Sequence, residues 1–453
     1  MRVTFARALR NPVSAIGVAL TTASALLFLF LFTLHIFGFL ESPYVGILVF
    51  ILMPAVFVAG LLLIPLGGWL EGRREAAGLE PRRWPKIDLN DPTHRRMVAF
   101  ISIATVANVL ILSMASYGAV EYSESQPFCG ELCHTVMEPE FVAHADGLHG
   151  RVHCVQCHVG PGAGGFVAAK LNGTRQLWLA ATGTYPRPIP TPVETMPAVQ
   201  NTCEQCHRPD RFVGDRLDVI YDHANDAANT ETKTTVRLHV GGPISGTGSG
   251  IGIHWHMNLA NEIEYVALDG KRENIAYVRV ATPDGSVREF FGEGVKESDV
   301  ARKPRRRMSC LDCHSRPAHT FGSSPARAVD AALGQGRLNA KIPFIRREAV
   351  RALSGSYPTQ ALGLEAIERE IRKGVSANQP HTFEESDLRR AIEVTQRIYR
   401  DNVFPSMKVG WGTYPNQLGH TESNGCFRCH DDSHKTKEGV AISQDCELCH
   451  TIE

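Results

Sequence analysis

Six short segments of this chain each carry two cysteines followed directly by a histidine. Five have the form Cys-x-x-Cys-His: Cys154/Cys157/His158, Cys203/Cys206/His207, Cys310/Cys313/His314, Cys426/Cys429/His430 and Cys446/Cys449/His450. Two thiols at that spacing can add to the vinyl groups on one edge of a porphyrin, and the adjacent imidazole then lies under the iron as its axial ligand. The sixth segment, Cys129-Gly130-Glu131-Leu132-Cys133-His134, has one extra residue between its thiols. A wider loop can still span the same two vinyl groups; the alternatives are a disulfide or an unused pair. Zinc ribbons would explain the cysteine pairs but give no reason for a histidine after every one. All twelve cysteines fall in these segments, so about six covalent haem c groups and no disulfide are expected.

A six-coordinate electron-transfer haem needs a second ligand, usually His or Met. Outside the motifs and the first 120 residues, the histidines are His144, His149, His153, His223, His239, His254, His256, His319, His381, His420 and His434. They outnumber the irons, so some serve other ends. The best candidates lie close to a motif or in a distinctive setting: His149, His319, His420, His434, and one of the pair in Gly252-Ile253-His254-Trp255-His256. His153 abuts Cys154 and is too constrained to reach another iron, and His223, His239 and His381 rank lower. Met137 lies just after the first motif; a thioether there would raise the potential of the first haem.

These sites must be carried by something. The chain has 453 residues, enough for two or three units. Lys plus Arg and Asp plus Glu both number 47, which offers nucleic acid no basic footprint. Residues 1–120 are largely apolar and free of cysteine. Stretches at about 13–40, 43–70 and 97–119 are each long enough to span a bilayer, making this part a three-helix membrane anchor. The first is too long for a signal peptide and is followed at once by another span.

Basic residues set the orientation. Arg2, Arg7 and Arg10 precede the first span, and Arg73, Arg74, Arg82, Arg83, Lys86, Arg95 and Arg96 lie between the second and third, whereas Glu41-Ser42-Pro43 has none. The N-terminus and the long loop are therefore expected in the cytoplasm, and everything after Glu121 outside, where bacteria attach haem c. His35, inside the first span, is the kind of residue that holds a b-type haem, but such a haem usually takes two histidines and the spans contain no second one. It is read as structural, and His94 has no partner either.

The expected order is three haem sites in 121–207, a β-rich insert at 208–309, a fourth site at 310–323, a helical linker at 324–404 and a two-haem module at 405–453. Within the insert, Thr235–Val240 and Glu262–Ala267 alternate as strands, and 275–282 with 286–291 around Pro283-Asp284-Gly285 reads as a hairpin. The Gly/Ser run 241–252 reads as a loop. In the linker, 361–373 and 384–399 have helical periodicity, with Thr382 or Ser386 as a cap for the second. The fold class is mainly α and irregular, with three N-terminal transmembrane helices and a small β insert.

An apolar anchor leading into Cys129…Cys133-His134…Met137 and then His149…Cys154-Val155-Gln156-Cys157-His158 resembles the NapC/NirT family, which includes the NrfH type. The resemblance covers the third span and the first four haem sites, apart from the insert. It implies a multi-pass protein of the bacterial inner membrane, haems in the periplasm, that oxidises menaquinol or ubiquinol and passes electrons to a periplasmic cytochrome or reductase in anaerobic respiration. A homo-oligomer or a complex with that partner is compatible with it. It further implies that His149 serves the third haem, that His319 returns to the second, and that Met137 can replace His134 at the first. The family's quinol pocket uses a lysine about a dozen residues past the second motif, here Lys170, followed by an acidic residue where this chain offers Gln176. The two extra spans, the insert and two further haems resemble the larger inner-membrane members that feed extracellular and metal respiration. Two other readings stand beside the quinol:acceptor oxidoreductase: a terminal reductase of a small oxyanion at an incompletely ligated haem, and an anchored electron relay that never touches quinol.

Overall fold

The computed structural model describes residues 11–36, 52–79, 88–132, 134–193, 196–243, 250–257, 261–377 and 383–453. They form two compact units, Met1–Leu132 and Cys133–Glu453. The first contains α1 (Pro12–Ile36), α2 (Met53–Ala76) and α3 (Pro92–Ser123), each long and apolar enough to cross a membrane. Both α2 and α3 run beyond the apolar stretches into polar flanks. The C-terminal end of α2 takes in Arg73 and Arg74, and α3 starts at Pro92 behind Asp91, whose carboxylate accepts from Thr93 N at 2.7 Å. The expected start of the second span at 43 falls outside the described residues.

Small residues let α1 and α2 approach closely, the usual device where lipid removes the hydrophobic drive. A Cβ on Gly17 would sit 2.7 Å from Gly60 O, and one on Gly60 would sit 2.9 Å from Thr21 N. Ser14 Oγ donates to Ile64 O at 2.9 Å, and Asn11 Nδ2 donates to the buried Glu71 at 3.0 Å. His94 accepts from Asp88 N through Nδ1 at 3.1 Å.

The second unit opens with α4 (His134–Ala145) and α5 (Gly162–Thr182), the latter closed by Gly183 at φ +67°, a left-handed cap that glycine adopts without strain. The insert holds two antiparallel sheets. In one, β2 (Glu231–Pro243) pairs with β1 (Gly214–His223) along its length and with β3 (Gly250–Ile251) at its end. The opposite edge of β2 receives β8 (His450–Ile452) from the last haem motif. In the other, the order is β6 (Val287–Phe291), β5 (Ile275–Ala281), β4 (Glu262–Ala267) and β7 (Arg306–Arg307). The β5–β6 hairpin turns through Gly285 at φ +83°, as the Pro-Asp-Gly segment predicts. Ile263, Tyr265, Ile275, Val278, Val280 and Phe290 form the core of this sheet.

The linker folds into α6 (Pro325–Gly334), α7 (Ile345–Leu353), α8 (Gln360–Ser376) and α9 (Glu385–Asn402). Ile345, Leu353, Ile367 and Ile371 on their inward stripes, with Leu338 and Ile342 from the α6–α7 connection, are buried almost completely, each worth about 1.5–3 kcal/mol. Ser324 and Thr359 cap α6 and α8. The expected Ser386 cap is corrected: Glu384 occupies the cap position of α9, and Ser386, inside the first turn, donates to its carboxylate at 3.3 Å. Thr382 lies outside the described residues.

Candidate haem centres

Each of the five Cys-x-x-Cys-His motifs winds a short turn that brings its two cysteines round to its histidine. Cys154–His158 and Cys310–Cys313 are α-helical, and Cys203–Gln205, Gly425–Arg428 and Cys446–Leu448 are 3₁₀. The histidine N–H closes the turn on the first cysteine carbonyl at 2.8 Å in His207 and His314 and at 3.0 Å in His430. The extra residue of the first pair is taken up by a π-helical turn, Phe128–Leu132, the wider winding that an inserted residue requires. None of the eleven described cysteines is joined to another in a disulfide, and Cys133 lies outside the described residues.

Five motif histidines face a second imidazole from elsewhere in the chain. Ring centres are separated by 6.2 Å for His158 and His319, 5.9 Å for His207 and His149, 6.3 Å for His314 and His254, 5.8 Å for His430 and His256, and 6.1 Å for His450 and His420. Roughly 2 Å from a metal to an imidazole nitrogen, plus about 1 Å from nitrogen to ring centre on each side, makes about 6 Å across a bis-imidazole iron. The residues present fit the group. The second imidazoles are also oriented: Nδ1 donates to a backbone carbonyl in His319 (Glu140 O, 2.8 Å), His149 (Pro317 O, 2.9 Å), His254 (Val240 O, 3.0 Å) and His256 (Ile253 O, 2.9 Å). That bond fixes the tautomer and leaves Nε2 with its lone pair for a metal.

The loop after the fourth motif serves two pairs. It carries His319 to His158, while its Pro317 carbonyl steers His149, and Thr320 N ties it to Ala143 O at 3.2 Å. His420 stacks on Phe427 at 4.2 Å. Burial lowers the pKa of His158, His256 and His314, keeping them in the neutral form a metal requires. Burial likewise pushes the thiols up, Cys313 to about 11 and Cys429 to about 12. After burial, neighbouring thiols raise one another: Cys157 feels Cys203 and Cys206, Cys310 feels Cys203, Cys313 feels Cys426, and Cys449 feels Cys426. The five sites from Cys154 onward thus follow one another in space as they do along the chain.

Two expectations are corrected. His434 is buried and has both nitrogens engaged, Nδ1 with Asp431 Oδ1 and Nε2 with Ile275 O, each at 2.9 Å. It pins the terminal segment to β5 and has no nitrogen left for iron. The choice between His254 and His256 also falls, because both face motif histidines. His223 sits against Asp330 at 3.3 Å and His239 against Asp215 at 3.0 Å, while His381 lies outside the described residues. Met137 lies three positions after His134 on α4, one helical turn along. Lys170, on α5, sets its ammonium 4.9 Å from the Phe166 ring centre. Gln176 is six positions further along the same helix, so the two lie about 120° apart around its axis and do not share a face. The two side chains expected to line one quinol pocket therefore point to different sides of α5.

Residues 91–188 match the N-terminal region of the NapC/NirT cytochrome c family. Over 448 residues, 98% of this chain and 88% of the relative, the sequence is 40% identical to "Cytochrome c-type protein ImcH" of Geobacter sulfurreducens (strain ATCC 51573 / DSM 12127 / PCA). The chain belongs to the NapC/NirT family of c-type cytochromes. As a NapC/NirT cytochrome it is membrane-anchored and carries haem c bound covalently through its cysteine pairs, which makes it an electron-transfer protein. No solved structure matches it.

Proposed function

We propose that this cytochrome oxidises membrane quinol at the outer face of the inner membrane and delivers the electrons to a periplasmic cytochrome or reductase. Six haem c groups, when bound, supply the one-electron steps. The observation that carries the reading is the closeness of the first attachment pair to the bilayer anchor. Cys129 follows the end of α3 at Ser123 by about two turns, and Tyr122 on α3 meets Phe128 edge-on at 5.5 Å. A carrier confined to the membrane meets this site first.

In this reading His319, His149 and His420 complete the second, third and last sites, and His134 or Met137 holds the first iron. Lys170 offers an ammonium to a quinol oxygen, the resemblance to NrfH-type members being the ground for choosing it. Gln176 cannot accept a proton at neutral pH, so proton release falls to another group or to water. The order of neighbouring thiols supports a run of sites from the second pair to the terminal pair.

Stopped-flow mixing of the purified protein with a menaquinol analogue tests this. Reduction of all haems is expected, slowed at least tenfold in Lys170→Ala. Failure of quinol to reduce any haem sinks the reading in favour of a simple relay. One observation keeps the reductase rival in view: the five histidine pairs leave the second ligand of the first site unassigned. High-spin haem that binds nitrite or hydroxylamine would favour that rival.

A further inference from the structure

The turn Ile253–Met257 sits at the meeting point of the insert, the fourth motif and the fifth motif. It is a 3₁₀ turn, and three residues per turn send successive side chains out about 120° apart. His254, Trp255 and His256 therefore leave in three directions. The His254 ring lies 6.3 Å from that of His314 and nearly parallel to it at 13°, with Phe212 against it at 4.4 Å. The His256 ring lies 5.8 Å from that of His430 and nearly perpendicular at 80°. Between them Trp255 packs onto the β4–β5–β6 core.

The turn is held on every side. His254 Nδ1 bonds Val240 O on β2, and His256 Nδ1 bonds Ile253 O within the turn. Asn261 Nδ2 donates to Trp255 O at 3.0 Å, and Trp255 N donates to Gly252 O at 3.0 Å. Gly252, at φ +76°, lies so close to β2 that a Cβ there would stand 2.8 Å from Gly241 Cα.

We propose that this one turn supplies the second axial ligand to two consecutive haems. His254 completes the site of Cys310/Cys313/His314, and His256 completes that of Cys426/Cys429/His430. The insert is then the carrier that joins the first four sites to the terminal pair at fixed spacing. This rests on the haem-binding family and is independent of quinol oxidation.

The test uses the full-length protein in detergent, with haem content by pyridine haemochrome and ligation by electron paramagnetic resonance and near-infrared magnetic circular dichroism of the oxidised form. His254→Met and His256→Met are each expected to convert one haem from bis-histidine to histidine–methionine, and the double variant two, at unchanged haem content. His256→Met should remove a highly anisotropic low-spin signal, as perpendicular imidazoles give, and His254→Met a rhombic one. Gly252→Val, which displaces the turn, should perturb both haems together. Either single variant leaving the bis-histidine count unchanged, or the double variant altering one haem only, overturns the proposal. If a methionine variant loses haem, His254→Gly and His256→Gly purified with and without added imidazole decide: each should regain one low-spin haem on imidazole, and no recovery overturns it.

Discussion

His420 and His434 stand on either side of the fifth motif, yet their rings are used differently. His420 faces His450 with its ring centre 6.1 Å away, whereas His434 spends one nitrogen on Asp431 and the other on Ile275 O. Spacing along the chain cannot separate these uses, because it does not say which backbone carbonyls will surround an imidazole. The two substitutions are therefore expected to part company. His434→Ala leaves a buried carbonyl and a carboxylate short of a partner and should lower unfolding stability by about 1–3 kcal/mol, with the spin state of every haem unchanged. His420→Ala should leave stability nearly unchanged and turn one haem high-spin. Chemical denaturation and electron paramagnetic resonance of the same two proteins check both halves.

At the level of elements, the fourth motif shows how a turn is built to hold its cysteines. Asp312, between Cys310 and Cys313 in sequence, accepts from Ser309 N at 2.7 Å and closes a capping box on the turn. The same buried carboxylate accepts from Tyr265 OH on β4 at 2.5 Å and from Arg272 Nη1 at 3.1 Å. Burial and then the charge of Asp312 push the Tyr265 phenol up, so it stays a donor. Asp312→Ala would strand Arg272 and Tyr265 together and should cost about 3–5 kcal/mol, with Asp312→Asn costing less; thermal unfolding of the two variants measures the difference. Much at this scale was legible in sequence. The strands of Glu262–Ala267 and the Pro-Asp-Gly hairpin follow from alternation, and α8 and α9 from helical period. The strand β1 was not, because most of its residues are exposed and its side chains show no clean alternation of apolar and polar. Nor could spacing tell that both histidines of His-Trp-His have partners. Two residues apart they would share a side of a strand, and only the 3₁₀ winding sends them to different motifs.

For the whole molecule, the cysteine pairs begin, along the sequence, soon after the third membrane-spanning helix and end at Cys446/Cys449. About six haems per chain are expected from a pyridine haemochrome count, and Cys129→Ala with Cys133→Ala should lower it by one. A wild-type count of five would place the deficit at the irregular first pair, whose identity as a haem site rests on sequence alone. The five later pairs could be recognised as attachment sites from spacing, but their partners come from tertiary folding. His319 is brought back to His158 by the loop after the fourth motif, across more than half of the haem-bearing unit's length in sequence.

The strand β2 touches two of these sites: Val240 O steers His254, His239 N bonds Cys449 O at 2.9 Å, and residues 236–238 take the strand β8. A hydrogen-bonded strand advances about 3.4 Å per residue whatever its side chains are. It therefore acts as a ruler between the fourth and last sites, and it should tolerate change unevenly over evolutionary time. Side chains along β2 can drift while the distances hold, but gain or loss of a single residue would slip the register and displace the segments of both sites at once.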